Sequence, residues 1–180
     1  MRFEDASIAG VKIVEPDLHR DHRGFFTRLS CPLEFASAGI DFTPLQMSLS
    51  RNHVRHTLRG MHYCMQPEAK LVRCTRGRIL DVLFDIRPTS LTFLKSFGME
   101  LDSESARGVY VPPGVAHGFI TLEDHTDVLY SIDRRYVAGF DAGMRWDDPV
   151  FNFPWPVKPM VIDDRDANYP DFKIREFGAQ

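Results

Sequence analysis

Three side chains close together in this sequence could move a proton next to a carbonyl on an anionic substrate. The run Thr57-Leu58-Arg59-Gly60-Met61-His62-Tyr63 carries a base and a cation, and Lys70 adds a second cation just beyond it. Imidazole changes charge nearest physiological pH, so a neutral His62 can take a proton there. A guanidinium such as Arg59 matches paired oxygens of an anionic substrate. An ammonium such as Lys70 can stabilise the enolate oxygen that proton loss creates. All three must face one pocket. If strands over Leu49–Tyr63 and Lys70–Cys74 are neighbours, their inward side chains meet in one. A single strand histidine is more often a packed or solvated residue; Arg59 and Lys70 beside it make His62 a candidate.

The elements that must position these groups read as strands and turns. Ile8–Val14 reads as a strand closed by Glu15-Pro16-Asp17, and Asp21–Arg28 as a turn leading into an aromatic strand. A short helix is expected over Pro32–Gly39, ended by the glycine, with Ser30 or Cys31 near its start. From Leu45 the candidate strands are Leu45–Asn52, Thr57–Tyr63, Lys70–Arg76, Arg78–Ile86, Lys95–Leu101, Gly108–Val111, His117–Thr121 and Asp127–Tyr136. Gly77, Pro88, Pro112-Pro113-Gly114 and Asp124 punctuate them. Strands at this spacing without intervening helices predict an antiparallel sandwich or barrel and argue against βαβ units. After Trp146 the chain turns Pro-rich and is expected to wrap over the barrel, followed by Asp163-Asp164-Arg165-Asp166 and a polar tail over about 167–180. One domain over 1–180 is the expectation.

Composition bounds the function. Apolar residues at 43% and charged residues at 26% suit a globular protein with a sizeable core. A net charge of −3 gives no general attraction for nucleic acid, so phosphate binding must be local. No apolar run of about 18 residues is present, so no membrane span is expected. Cys31, Cys64 and Cys74 are odd in number and match no CxxC spacing, which predicts free thiols in a reducing cytoplasm.

Gly60-x-His62, Gly77, Pro113-Gly114 and His117 resemble the two motifs of the cupin superfamily, a double-stranded β-helix or jelly roll. Metal-binding cupins usually offer a His-x-His pair. Here Tyr63-Cys64 follows His62, which leaves a thin ligand set with Glu68, so no metal is expected. Longer stretches carry a closer resemblance. Asp21-x-Arg23-Gly24-x-Phe26, Arg59-Gly60-Met61-His62-Tyr63, Lys70-Leu71-Val72, Gly77-x-Ile79-x-Asp81-Val82 and Asp85-Ile86-Arg87 resemble the dTDP-4-dehydrorhamnose 3,5-epimerase family, in order. So do Val111-Pro112-x-Gly114-x-Ala116-His117-Gly118-Phe119, Trp146-Asp147-Asp148-Pro149 and Trp155-Pro156.

That resemblance implies a cytoplasmic homodimeric jelly roll with a few short helices, acting in deoxysugar biosynthesis of the dTDP-rhamnose type. The implied enzyme is an isomerase without cofactor that inverts carbons 3 and/or 5 of a nucleotide-linked 4-keto-6-deoxyhexose. It maps the catalytic base onto His62, the base's carboxylate partner onto Asp166 and the opposing acid onto Tyr130, with Tyr136 as a second tyrosine. Lys70 falls on the position that stabilises the enolate. Sugar and phosphate contacts fall on Arg59, Lys70 and His117, and nucleotide contacts on Arg23, Phe26, Arg28, Gln46 and Ser48. The chemistry is coherent, because a keto group at carbon 4 acidifies the hydrogens at carbons 3 and 5 by delocalising the carbanion into an enolate.

The chain departs from the family pattern at three places. Arg28 stands where the family usually has Glu, Ser48-Leu49 where it usually has Asn often followed by His, and Ser131-Ile132-Asp133 where Lys-Cys-Thr commonly follows the acid tyrosine. The first two lie where the nucleotide base would be held, so a CDP- or GDP-linked sugar stays beside the dTDP sugar as a candidate. A mono-epimerase, a sugar-nucleotide 3,4-ketoisomerase and a non-enzymatic sugar-binding cupin are the alternatives.

Overall fold

The computed structural model describes residues 1–174. Its core is two facing sheets between which the chain passes repeatedly. One sheet has the order β1-β2-β10-β7-β12-β5, built from β1 (Arg2–Asp5), β2 (Lys12–Glu15), β10 (Gly108–Val111), β7 (Lys70–Arg76), β12 (Thr126–Ile132) and β5 (Gln46–Asn52). The other has the order β13-β6-β11-β8-β9, from β13 (Asp141–Gly143), β6 (Thr57–Cys64), β11 (Val115–Thr121), β8 (Arg78–Asp85) and β9 (Ser96–Asp102). Short β14 (Val161–Ile162) pairs parallel with β6, and β3 (His19–Asp21) forms a separate hairpin with β4 (Gly24–Phe26). From β5 to β8 each strand lies in the sheet opposite its predecessor. This winding is the double-stranded β-helix of the cupins.

Alternation along the strands decides what lies between the sheets. Val72 and Cys74 on β7, Ile79 and Leu83 on β8, Val115 and Phe119 on β11, and Val128 on β12 form one buried cluster. The outer faces are covered separately. Helix α1 (Pro32–Ser37) and the loop after it bring Phe35, Ile40 and Phe42 onto Val14, Leu71 and Tyr110. The Pro-rich segment lays Phe151 and Phe153 on Phe84.

The structure corrects several boundaries. The strand expected over Ile8–Val14 is only β2, paired with β1, because Ile8 and Val11 turn inward and hydrogen-bond to each other through their backbones. The last long strand stops at Ile132, where the Asp133 carboxylate accepts the Ala69 N–H at 2.8 Å. The segment read as a polar tail carries Phe172, buried among Met61, Phe84 and Phe151; residues 175–180 of that tail lie outside the described residues. β6 and β7 are not neighbours either. They belong to opposite sheets, so Lys70 and His62 do not share one ladder.

One local irregularity sets the site. Along β11 and β6, His117 pairs with His62 and Phe119 with Arg59, so two residues on β11 span three on β6. This bulge gives Arg59 and His62, three apart in sequence, the same inward sense. Gly60 sits inside it at φ +114, and a Cβ there would lie 2.7 Å from Gly118 Cα. Both the backbone conformation and the close approach require glycine. Gly60→Ala is therefore expected to cost at least about 1–3 kcal/mol for the backbone conformation alone, read as a lower urea midpoint with unchanged slope.

Candidate active site

His62 and Asp166 form the centre of the site. Asp166 lies on α2 (Asp164–Ala167), whose start is fixed by the Asp163 carboxylate accepting the Arg165 N–H at 2.9 Å. Asp166 is 5% exposed, with Oδ1 2.7 Å from His62 Nε2 and Oδ2 accepting the Gly60 N–H at 2.8 Å. Burial alone pushes this carboxyl's pKa up. The hydrogen bonds from His62 and Gly60 outweigh it, and the net value falls below the ordinary one. An ionised Asp166 accepts a hydrogen bond from His62 Nε2–H, so Nδ1 is the ring nitrogen turned away from the pair.

The second histidine makes a similar pair deeper in the barrel. His117, 4% exposed, lies 2.6 Å through Nε2 from Asp81 Oδ1, and Asp81 is itself 1% exposed. Asp81 Oδ2 is buried with no hydrogen-bond partner among the described residues. The Tyr130 ring meets His117 edge-on at 5.8 Å. Burial raises the Tyr130 pKa above that of an ordinary phenol; the Asp81 charge adds to this and Arg59 opposes it. Tyr130 therefore holds its proton at neutral pH.

The two cations are held by different partners. Arg59 Nε donates to Asn52 Oδ1 on the opposite sheet at 2.8 Å, with its guanidinium open to solvent. Lys70 shares the inward face of β7 with Val72 and pairs with Glu68 at 3.3 Å. A cavity of about 450 Å³ opens beside the dyad, lined by Arg59, His62, Asp166, Ile162, Asp163 and Arg165. No group of three or more His, Cys, Asp or Glu side chains among the described residues converges as a metal would require.

The other predicted positions divide. Ser48 faces Tyr130 in register on β5, and Gln46, two residues along the same face, accepts the Tyr136 N–H at 2.9 Å through Oε1. The Tyr136 side chain itself is 65% exposed. Arg23, Phe26 and Arg28 stand apart on or beside the β3–β4 hairpin. Arg23 pairs with Asp21 at 2.5 Å, Phe26 is 75% exposed and Arg28 pairs with Glu34 at 2.8 Å. Within one chain they do not join the His62 group. Sequence reasoning missed Asp81 and Asn52 as partners of His117 and Arg59. Asp81 carried a signal: a carboxylate between Ile79 and Leu83 in an inward row needs a buried partner.

Comparison with known proteins identifies the family. The family model for dTDP-4-dehydrorhamnose 3,5-epimerase matches residues 5–173. The chain is 36% identical over 173 residues to the dTDP-4-dehydrorhamnose 3,5-epimerase of Sinorhizobium fredii, covering 94% of this chain and 89% of that protein. The crystal structure of dTDP-4-dehydrorhamnose 3,5-epimerase from Bacillus anthracis, with TDP and PPi bound, matches with TM-score 0.91 and 34% identity over 95% of this chain and 99% of that one. A 3'-monoepimerase from Streptomyces bikiniensis in complex with dTDP-quinovose matches with TM-score 0.85 and 33% identity over 92% of this chain and 85% of that one. This chain belongs to the dTDP-4-dehydrorhamnose 3,5-epimerase family, isomerases that act on sugar nucleotides.

Proposed function

We propose that this protein inverts carbons 3 and 5 of dTDP-4-keto-6-deoxyglucose through enolate intermediates. The observation that carries the reading is the His62–Asp166 dyad, whose histidine is the register partner of His117, with the Tyr130 ring against His117. His62 Nδ1 removes the proton beside the keto group, and Asp166 stabilises the imidazolium that forms. Lys70 supplies the donor for the enolate oxygen, and His117, held by Asp81, packs against the Tyr130 ring. Tyr130 returns a proton to the carbanion carbon from the other face of the ring; the His62 imidazolium then releases its proton to solvent and the phenolate takes one from solvent, which resets both groups. Arg59 clamps the pyrophosphate. The chemistry calls for no redox cofactor, because no electrons leave the sugar. Gln46 and Ser48 line the nucleotide end, where Arg28 and Ser48 depart from the family pattern.

The active form is a homodimer in this reading. Met47 and Leu49, on the outer face of edge strand β5, are 65% and 56% exposed, and Leu45 beside them is 61% exposed. An open strand edge with an apolar face favours pairing with a second copy. The exposed hairpin would then carry Arg23, Phe26 and Arg28 to the partner's pocket. Sedimentation equilibrium is expected to give twice the chain mass of 20.7 kDa, and Met47→Glu with Leu49→Glu to give the monomer mass.

Deuterium wash-in tests the reaction. Incubation with dTDP-4-keto-6-deoxyglucose in heavy water should place one deuteron each at carbons 3 and 5. A single deuteron would reduce the reading to a mono-epimerase. Exchange only with the CDP or GDP analogue would reassign the base, and no exchange with any of them would reject the epimerase.

A further inference from the structure

Beyond Asp166 the chain does not leave the site. Tyr169, three residues on, lies edge-to-face against the His62 imidazole, with ring centroids 6.1 Å apart and planes at 76°. The recess that holds it exists because position 143 is glycine. Gly143 is the β13 register partner of His62, and a Cβ there would overlap the Tyr169 ring. The Arg165 guanidinium lies 5.4 Å from the ring centroid, and the strap is anchored beyond by the Phe172 N–H donating to Asp148 Oδ2 at 2.6 Å. The Tyr169 hydroxyl, by contrast, is buried with no hydrogen-bond partner among the described residues. The ring is what the site uses.

We propose that Tyr169 is a positioning residue for the base: its ring walls the imidazole of His62 into the orientation that keeps Nε2 on Asp166 and Nδ1 toward the substrate. The proposal deepens the epimerase reading and rests on it for His62's role. The physical need is plain. The His62 side chain is 43% exposed and, among the described residues, is held through one nitrogen, so without a wall its ring can swing about that single bond. Misplacing a reacting group by about an ångström costs up to ~10²-fold in rate. An edge-to-face aromatic neighbour limits that swing without adding a competing hydrogen bond to the ring nitrogens.

The test compares wild type, Tyr169→Phe and Tyr169→Ala by kcat, KM and the imidazole N–H resonance of His62. Tyr169→Ala is expected to lower kcat about 10- to 100-fold, with KM within about 3-fold, and to lose the N–H signal to solvent exchange. Tyr169→Phe is expected to keep wild-type kcat and signal and to melt no lower, because the hydroxyl it removes is buried and unpaired. Tyr169→Leu, which keeps apolar bulk in the Gly143 recess, replaces the alanine variant if that one does not fold. Two results overturn the proposal: Tyr169→Phe as impaired as Tyr169→Ala, which assigns the work to the hydroxyl, or Tyr169→Ala with kcat and resonance intact. If wild type exchanges no sugar proton at all, the epimerase reading fails, and the resonance alone then decides whether the wall exists.

Discussion

Asp166→Asn is expected to give a folded protein that binds nucleotide sugar and turns it over about 10⁴-fold more slowly. The substitution keeps size and shape, and the asparagine oxygen can still accept the Gly60 N–H that Asp166 Oδ2 accepts at 2.8 Å. What changes is the atom facing His62. An amide nitrogen donates, so Nε2 must become the acceptor and the ring proton moves to Nδ1. The nitrogen aimed at the substrate is then already protonated and cannot act as base, and the imidazolium loses its counter-charge. Steady-state kinetics with a binding isotherm for dTDP check this, with kcat falling and the dissociation constant holding. The same change alters acid stability. The folded Asp166 pKa is depressed, so its contribution to stability is present above the ordinary carboxylate range and is lost as pH falls through the depressed value. The stability gap between wild type and Asp166→Asn should narrow over that window.

His62→Asn removes the base itself and is expected to cost about 10²–10⁴-fold or more in proton abstraction. Structure should survive, because His62 is half-exposed and its neighbours on β6 and β11 are held by the ladder and not by the imidazole. Asp166 keeps the Gly60 N–H as a partner in the variant. Binding should survive too, since Arg59 and the nucleotide contacts are untouched. Because His62 and Asp166 act as one unit, the double variant should be little worse than the poorer single one. Additive losses would mean that the two residues serve separate steps.

Much of the fold was legible because strand alternation and turn chemistry act locally. Gly77 marks the crossing from β7 to β8 with φ +75, and Pro113-Gly114 precedes β11 with Gly114 at φ +76. The order Lys70-Leu71-Val72 already separates an inward lysine from an outward leucine. The bulge at Gly60 was not legible, since a regular strand would send Arg59 and His62, three residues apart, to opposite faces. Only the unequal register against β11 corrects that. Asp166 read by itself is a solvated acid in an acidic run. Its burial comes from α2 docking on β6, a contact 104 residues distant in sequence from His62. Tyr169 depends on the glycine at position 143, and no local pattern connects the two.

The most direct measurement is deuterium incorporation into dTDP-4-keto-6-deoxyglucose in heavy water, followed by NMR for wild type and His62→Asn side by side. The account predicts incorporation at carbons 3 and 5 with wild type, and with His62→Asn a loss of exchange at both carbons while dTDP affinity is unchanged. Exchange persisting at the wild-type rate in His62→Asn would contradict it, because the base would then be another group.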